Sequence, residues 1–170
     1  ALAYIKRQLE LHIDGEPVRH WDLLEQKWKN GAFVFNTWDT ELLNDGTLSI
    51  IRCNLPKTVT KIVVPDQIDG RKVSTLAGAA LGDFKDVRSL TLPETITRIE
   101  NTCFIHMEKL EEVTLPRSLK MDVFNVGAWM FQWCTSLKKV VFLSAPKYFP
   151  WAIFSHCPAL ETIEMPGTTL

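Results

Sequence analysis

The sequence predicts an α/β-type repeat solenoid: coils stacked on one parallel β-sheet, behind an N-terminal cap containing a short helix. Three observations predict it. Apolar anchors recur at Val59, Val87, Leu110, Leu137 and Leu160, in steps of 28, 23, 27 and 23 residues. Each anchor opens a run with period-two apolar residues: Ile62/Val64, Leu90/Leu92, Val113/Leu115, Val140/Phe142 and Ile163/Met165. That alternation is the mark of a strand with one buried face. A third set of columns precedes the anchors. Leu81, Phe104, Phe131 and Phe154 form one, Ala80, Cys103, Met130 and Ile153 another, and Leu76, Ile99, Val126 and Phe149 a third, all expected in the core. A coil of this size cannot bury its own apolar side, but a stack of coils can.

Residues 1–58 are expected to form the capping segment and residues 59–170 the solenoid, with about 4.5 repeats. Leu9, Leu11 and Ile13 alternate ahead of Asp14-Gly15, which reads as a short strand or hairpin. Leu2, Ile5 and Leu9 support a helix in the same stretch nearly as well. Trp21, Leu24 and Trp28 stand at helical spacing, and Asn30-Gly31 can stop a helix, so one is expected over about Trp21–Lys29. Its tryptophans would cover the open end of the first coil, which otherwise exposes core and unpaired edge. Phe33 to Phe35 and Leu42 to Arg52 read as lead-in strands, with a turn at Asn44-Asp-Gly46.

The two long steps are insertions. The phenylalanine column lies eleven positions after the proline column in the short repeats. Pro65 to Leu81 is longer by five and carries the turn signal Asp69-Gly70. Pro116 to Phe131 is longer by four, within Lys120 to Asn125. Pro65, Pro93, Pro116 and Pro166 end their strands because proline gives the ladder no donor. Leu143 takes that place in one repeat. The chain ends at Leu170 inside a fifth repeat, so the solenoid is expected to be truncated there, with more coils or another chain over the open end.

The recurring pattern is Leu-x-x-Leu-x-Leu-Pro, then Ile, then Ala-Phe-x-x-Cys-x-x-Leu. It runs through Arg88–Leu110, Glu111–Leu137 and Lys138–Leu160. It resembles the BspA-like, or Treponema-type, leucine-rich repeat. The stretch Leu43–Ile50, followed by Val64–Val73, resembles the lead-in that often precedes such repeats in gut bacteria. The resemblance covers about residues 40–170 and departs from the family where aromatics crowd the third and fourth repeats. It implies a non-enzymatic protein-interaction or adhesion module of a secreted or cell-surface bacterial protein, with a host or neighbouring-cell protein as partner. A carbohydrate-binding accessory domain and a structural spacer within a longer chain remain the alternatives.

Composition bounds the other classes. A net charge of −1 gives no clustered basic face for nucleic acid. No apolar run reaches the roughly 18 residues of a membrane span. Neither signal peptide nor initiator Met is present, so a mature form or part of a longer protein is expected.

No nucleophile stands with a base and an orienter, and no cofactor is expected. Cys134 and Cys157 share one column, Cys103 falls in the small apolar column, and Cys53 lies outside the repeats. All four read as buried thiols acting as small hydrophobes. A Cys134–Cys157 disulfide is geometrically conceivable, since adjacent coils bring one column to roughly 5 Å. His106 and His156 share a column with Asp83 and Trp133, but two coils apart, roughly 10 Å, they cannot close on one zinc.

Two surfaces remain as candidates. Trp129, Trp133 and Trp151 lie off the core columns, where exposed tryptophan favours interfaces. They form either a protein-docking patch, a stacking platform for a sugar ring, or convex packing around the insertion loop. The outward strand face carries Lys61, Ser89, Thr91, Glu112, Thr114, Lys139, Thr162 and Glu164. It is either a solvated sheet face or a shallow binding surface.

Overall fold

The computed structural model describes residues 37–120, 122 and 127–167 in full. Before residue 37 it describes the backbone of four short strands. β1 (Leu11–Ile13) pairs antiparallel with β2 (Glu16–Val18), and β3 (Lys27–Lys29) with β4 (Ala32–Val34). The first hairpin agrees with the alternation read before Asp14-Gly15. The helix expected over Trp21–Lys29 is overturned at Lys27–Lys29, which is strand. Two residues, Asn30 and Gly31, separate β3 from β4, and Asn-Gly is the strongest short hairpin signal. No helix occurs among the described residues, so the fold is a β-solenoid and not an α/β one. A helix through Leu2, Ile5 and Leu9 and the covering role of Trp21 lie outside the described residues.

The solenoid is entered through a hairpin, β5 (Trp38–Leu42) to β6 (Leu48–Cys53), turning at Asn44-Asp-Gly46. Gly46 has φ +82°, a conformation glycine adopts without penalty. Leu48, Ile50 and Cys53 of β6 are buried, and Cys53 donates its N–H to Ala80 O at 3.0 Å. β6 is thus the first wall of the stack. Lys57 closes the same end from below. Its ammonium lies 3.6 Å from the centroid of the Phe84 ring and donates to Gly82 O at 2.7 Å.

β7 (Lys61–Val63) begins the repeating strands. The first insertion is a hairpin, β8 (Gln67–Ile68) against β9 (Arg71–Leu76), with Asp69 and Gly70 both at positive φ. β9 runs parallel to β6 and, on its other side, to β11 (Arg98–Ile99), giving the solenoid a flank sheet. β10 (Ser89–Thr91) pairs parallel with β7. β12 (Glu112–Leu115), β13 (Lys139–Phe142) and β14 (Thr162–Glu164) follow as a second parallel group. Each strand falls on a predicted run, and the registers join like columns: Leu90 to Ile62, Val113 to Val140, Val140 to Ile163. The prediction of one continuous sheet is corrected. β7–β10 and β12–β13–β14 are separate sheets, with no ladder between β10 and β12.

The opposite, convex side is also a ladder. Leu81 N–H donates to Cys103 O, Phe104 to Met130 O, and Phe131 to Ile153 O. Two positions in each convex turn take positive φ: Ala79 and Asp83, Thr102 and His106, Trp129 and Trp133, Ala152 and His156. The phenylalanine column is one continuous stack. Phe104 and Phe131 rings lie 5.2 Å apart at 27°, and Phe131 and Phe154 rings 5.8 Å apart at 17°. Beside it runs a column of Phe84, Met107, Cys134 and Cys157. The second insertion, Lys120 to Asn125, falls largely outside the described residues.

Leu143 now has a reason. It donates its backbone N–H to Leu115 O at 3.3 Å, a bond proline cannot make. Phe149 departs from expectation. Its column is core at Leu76 and Ile99, yet Phe149 is 42% exposed, and Pro150 is buried instead. The segment there carries no strand equivalent to β11, so the side chain swings out and meets Phe142 edge-on at 5.6 Å.

Candidate functional site

Two surfaces stand on this frame. The convex turns present the aromatic one. Trp129, Trp133, Ala152 and His156 hold positive φ, so their side chains project from the tips of the turns. Trp151 is 70% exposed and meets Trp129 edge-on at 5.1 Å. Trp133 is 42% exposed and stacks on the His156 ring at 3.9 Å and 18°. His106 lies 6.4 Å from Trp133 on its other side and shares a 2.7 Å hydrogen bond with Asp83. The column Asp83, His106, Trp133, His156 is therefore a physical row running across four coils.

Asp and His tolerate the left-handed region, while a bulky residue such as tryptophan is out of type there. The sequence placed Trp133 off the core and in this row. It missed Tyr148 and Phe149, which add exposed aromatic surface in the coil of Trp151. Tyr148-Phe-Pro150-Trp151 could have been found from its proline, which breaks the strand pattern of that column.

The sheet face is polar. Ser89, Thr91, Glu112, Thr114, Thr162 and Glu164 are exposed and alternate with buried residues in the first four, as the register predicts. Lys61 is exposed on β7, and Lys139 is half-buried between two carboxylates. Its ammonium is 2.9 Å from Glu164 Oε1 and 3.8 Å from Glu112 Oε1. The hydrogen bond to Glu164 holds the Lys139 ammonium above its ordinary range. Ser89, Thr91, Glu112 and Thr114 converge on a groove of about 510 Å³ between β10 and β12. Arg88, Leu90, Leu92, Glu94, Pro116 and Leu143 complete its lining. Lys61, Thr162 and Glu164 lie outside it.

The thiols are packing groups. Cys134 Sγ donates to Phe104 O at 3.2 Å and Cys157 Sγ to Phe131 O at 3.0 Å, so like columns make like bonds. Both are free, as are Cys53 and Cys103. Burial pushes Cys134 up to about 12 and Cys53 up to about 11. Among the described residues no cluster of three or more His, Cys, Asp or Glu side chains could hold a metal ion. No helix among them is long and apolar enough to cross a membrane.

Comparison with known proteins agrees with this frame. Three solved structures share the fold. A leucine-rich repeat protein of T. pallidum matches with TM-score 0.60 at 22% identity, over 75% of this chain and 68% of that one. One from Eubacterium ventriosum matches with TM-score 0.56 at 20% identity, over 81% and 34%. A leucine-rich cell surface protein of Faecalibacterium prausnitzii matches with TM-score 0.54 at 14% identity, over 86% and 41%. The chain thus spans about a third and two fifths of the last two. No curated protein matches the sequence. The model of the BspA type leucine rich repeat region matches residues 53–170 in six copies, and the chain belongs to that family.

Proposed function

We infer that this domain is a non-enzymatic protein-docking module of a bacterial secreted or surface protein, and that it docks through Trp129, Trp133 and Trp151. One observation carries the reading. The core columns are complete without these three side chains, yet Trp151 is 70% exposed, and Trp133 is held at φ 63° at the tip of a turn. Large exposed aromatics are a solubility hazard unless a partner covers them. Tryptophan also supplies much of the binding energy where it meets a pocket. A surface protein from Faecalibacterium prausnitzii with the same fold supports the location. The exposed Trp151 face, backed by the Trp129 edge, also supports a second reading, stacking on the apolar face of a sugar ring.

The test is a binding screen of the immobilised domain against purified extracellular proteins and against neutral oligosaccharides. Trp151→Ala should weaken a protein interaction by about 2 kcal/mol, close to thirtyfold in Kd. Trp133→Asn, which suits a left-handed turn, should do so with the fold intact. Binding that survives both changes and is lost in Glu112→Ala would move the site to the sheet face. Binding confined to oligosaccharides and lost in Trp151→Ala would favour the second reading.

A further inference from the structure

The two sheets that carry the polar face part between β10 and β12, although the sequence columns run unbroken across that point. The repeat itself shows which bonds are missing. Where β10 follows β7, Ser89 N–H donates to Thr60 O, and where β13 follows β12, Lys139 N–H donates to Glu111 O. The equivalent bond at the parting would run from Glu112 N–H to Arg88 O, and it is not made. Val64 N–H donates to Thr91 O, but its equivalent, Leu92 N–H to Thr114 O, is not made either. Alternation along a strand turns the N–H groups of Glu112 and Thr114 toward β10, and that of Leu90 toward β12. Each thus faces the gap. Leu90 is 8% exposed, while its column mates Ile62, Val113 and Val140 are at 0–1%. The groove of about 510 Å³ is this gap seen from outside.

The same two coils are bonded on every other side. On the flank, Ser118 Oγ donates to Ile96 O at 2.7 Å and Lys120 N–H to Thr97 O at 3.1 Å. Gly127 N–H reaches Ile99 O at 2.9 Å, and Asn101 Oδ1 accepts from Ala128 N–H at 2.8 Å. On the convex side Thr102, Phe104 and His106 all donate to the next coil. At Gly127 the approach is at its closest, since a Cβ there would overlap the backbone of Glu100 and Asn101. On the returning side Ser136 N–H donates to Glu108 O at 3.2 Å, so coils bonded on three sides and apart on the fourth can only move by pivoting about the bonded sides. Cα atoms of β10 and β12 still come within 8 Å. An inserted strand would need roughly 9.6 Å, twice the ladder spacing, so the gap does not admit one.

We propose that the β10–β12 seam is a hinge: the solenoid closes there into one five-stranded sheet, β7-β10-β12-β13-β14, and opens to the groove seen here. Closure supplies partners for main-chain groups now facing the groove. It brings Ser89 and Thr91 up to Glu112 and Thr114 and removes the cavity between them. The curvature of the polar face is thus adjustable at one place. This does not depend on which surface binds a partner.

Paired cysteines test it. A disulfide needs Cα atoms roughly 4.4–6.8 Å apart, which a closed ladder supplies at roughly 4.8 Å, and on this proposal the parted seam must close to reach that spacing. Thr91→Cys/Thr114→Cys spans the seam, and Thr114→Cys/Val141→Cys spans register partners in a closed ladder. With the closed form a minor state, the seam pair should oxidise about 10- to 1000-fold more slowly than the ladder pair, but to completion. Equal rates would show that no open seam exists in solution. A seam pair that never oxidises, beside a ladder pair that does, would show a fixed gap. Either result overturns the proposal. If the first pair fails to fold, Ser89→Cys/Glu112→Cys asks the same question one step along. In the unsubstituted chain the Glu112 and Thr114 amides should exchange with solvent at least about tenfold faster than those of Val113 and Leu115. Equal protection of all four would also overturn it.

Discussion

Replacing Phe131 with alanine is the sharpest probe of the stack. Phe131 is wholly buried, with the Phe104 ring 5.2 Å away on one side and the Phe154 ring 5.8 Å away on the other. Removing a buried phenylalanine costs about 3–5 kcal/mol, the range reflecting how far the site collapses. Here collapse is opposed from both sides. The backbone of Phe131 is pinned by its N–H to Ile153 O and by its carbonyl, which accepts from Cys134 N–H and Cys157 Sγ. Each ring pair adds about 0.5–1.5 kcal/mol beyond area, so the loss should lie at the top of the range, near 5 kcal/mol. Phe154 has one ring neighbour in the column and is only half-buried, so Phe154→Ala should cost about 2 kcal/mol. Urea unfolding followed by near-UV circular dichroism measures both. With a slope of about 2.5 kcal/mol/M, the Phe131 midpoint should drop by about 2 M. Phe131→Leu gives a milder loss if the alanine variant does not fold. A cost at Phe131 equal to or below that at Phe154 would mean that the rings are not a continuous rib.

Gly127→Ala should cost about 3 kcal/mol, because the new Cβ meets backbone that cannot rotate away and would break the Gly127–Ile99 and Ala128–Asn101 bonds. Gly78→Ala, whose Cβ meets only Asn101 O at 3.3 Å, is the control and should cost under about 1 kcal/mol in the same urea assay. The buried thiols set an alkaline limb. Desolvation raises Cys53 and Cys134 from 9.0 to about 11 and about 12, and raises wholly buried Cys103 as well. Above pH 9 the unfolded chain ionises these thiols and the folded one does not, so stability should fall from pH 9 toward 11. The slope is about 1.4 kcal/mol per pH unit for each thiol affected. Lys85, Lys138 and Lys139, raised by Glu108, Glu111 and Glu164, add a loss of the same sign as pH nears and passes 10.5, and partly buried Lys57, lowered by desolvation, opposes it, so the thiol limb is read between pH 9 and 10. Urea midpoints from pH 8 to 11 should lose part of the slope in Cys53→Ala, and a flat profile in the unsubstituted chain would contradict the assignment.

Most of the frame was legible because each coil repeats the same demand. Ile62, Leu90, Val113 and Val140 must share a column, and one register satisfies all four. Trp133 and Trp151 were legible for the complementary reason, as large side chains in positions the ribs do not use. The helix over Trp21–Lys29 was misread because three apolar residues at helical spacing are weak evidence beside an Asn-Gly pair, which was read as a stop when it fits a two-residue hairpin. Phe149 obeyed its column in sequence but lacked the strand that would have turned it inward. The seam left no trace in residue type. Leu90, Leu92 and Pro93 match Val113, Leu115 and Pro116 position for position, and the difference between them is one of backbone separation alone.

The column beside the phenylalanines narrows along the chain, from Phe84 through Met107 to Cys134 and Cys157, while its neighbour begins smaller with Leu81 and continues as Phe104, Phe131 and Phe154. The first three coils thus carry different pairs, Leu81 with Phe84, Phe104 with Met107 and Phe131 with Cys134, and the fourth repeats the third with Phe154 and Cys157. Coils with one backbone are therefore not exchangeable parts. Excising residues 88–110 would keep every strand in phase, yet it would set Phe84 directly against Cys134 and Leu81 against Phe131. Misplaced bulk of this kind costs stability in a packed interior. The order of the coils is written in their side-chain volumes, and a shuffled chain would carry the right alphabet in a misspelt word.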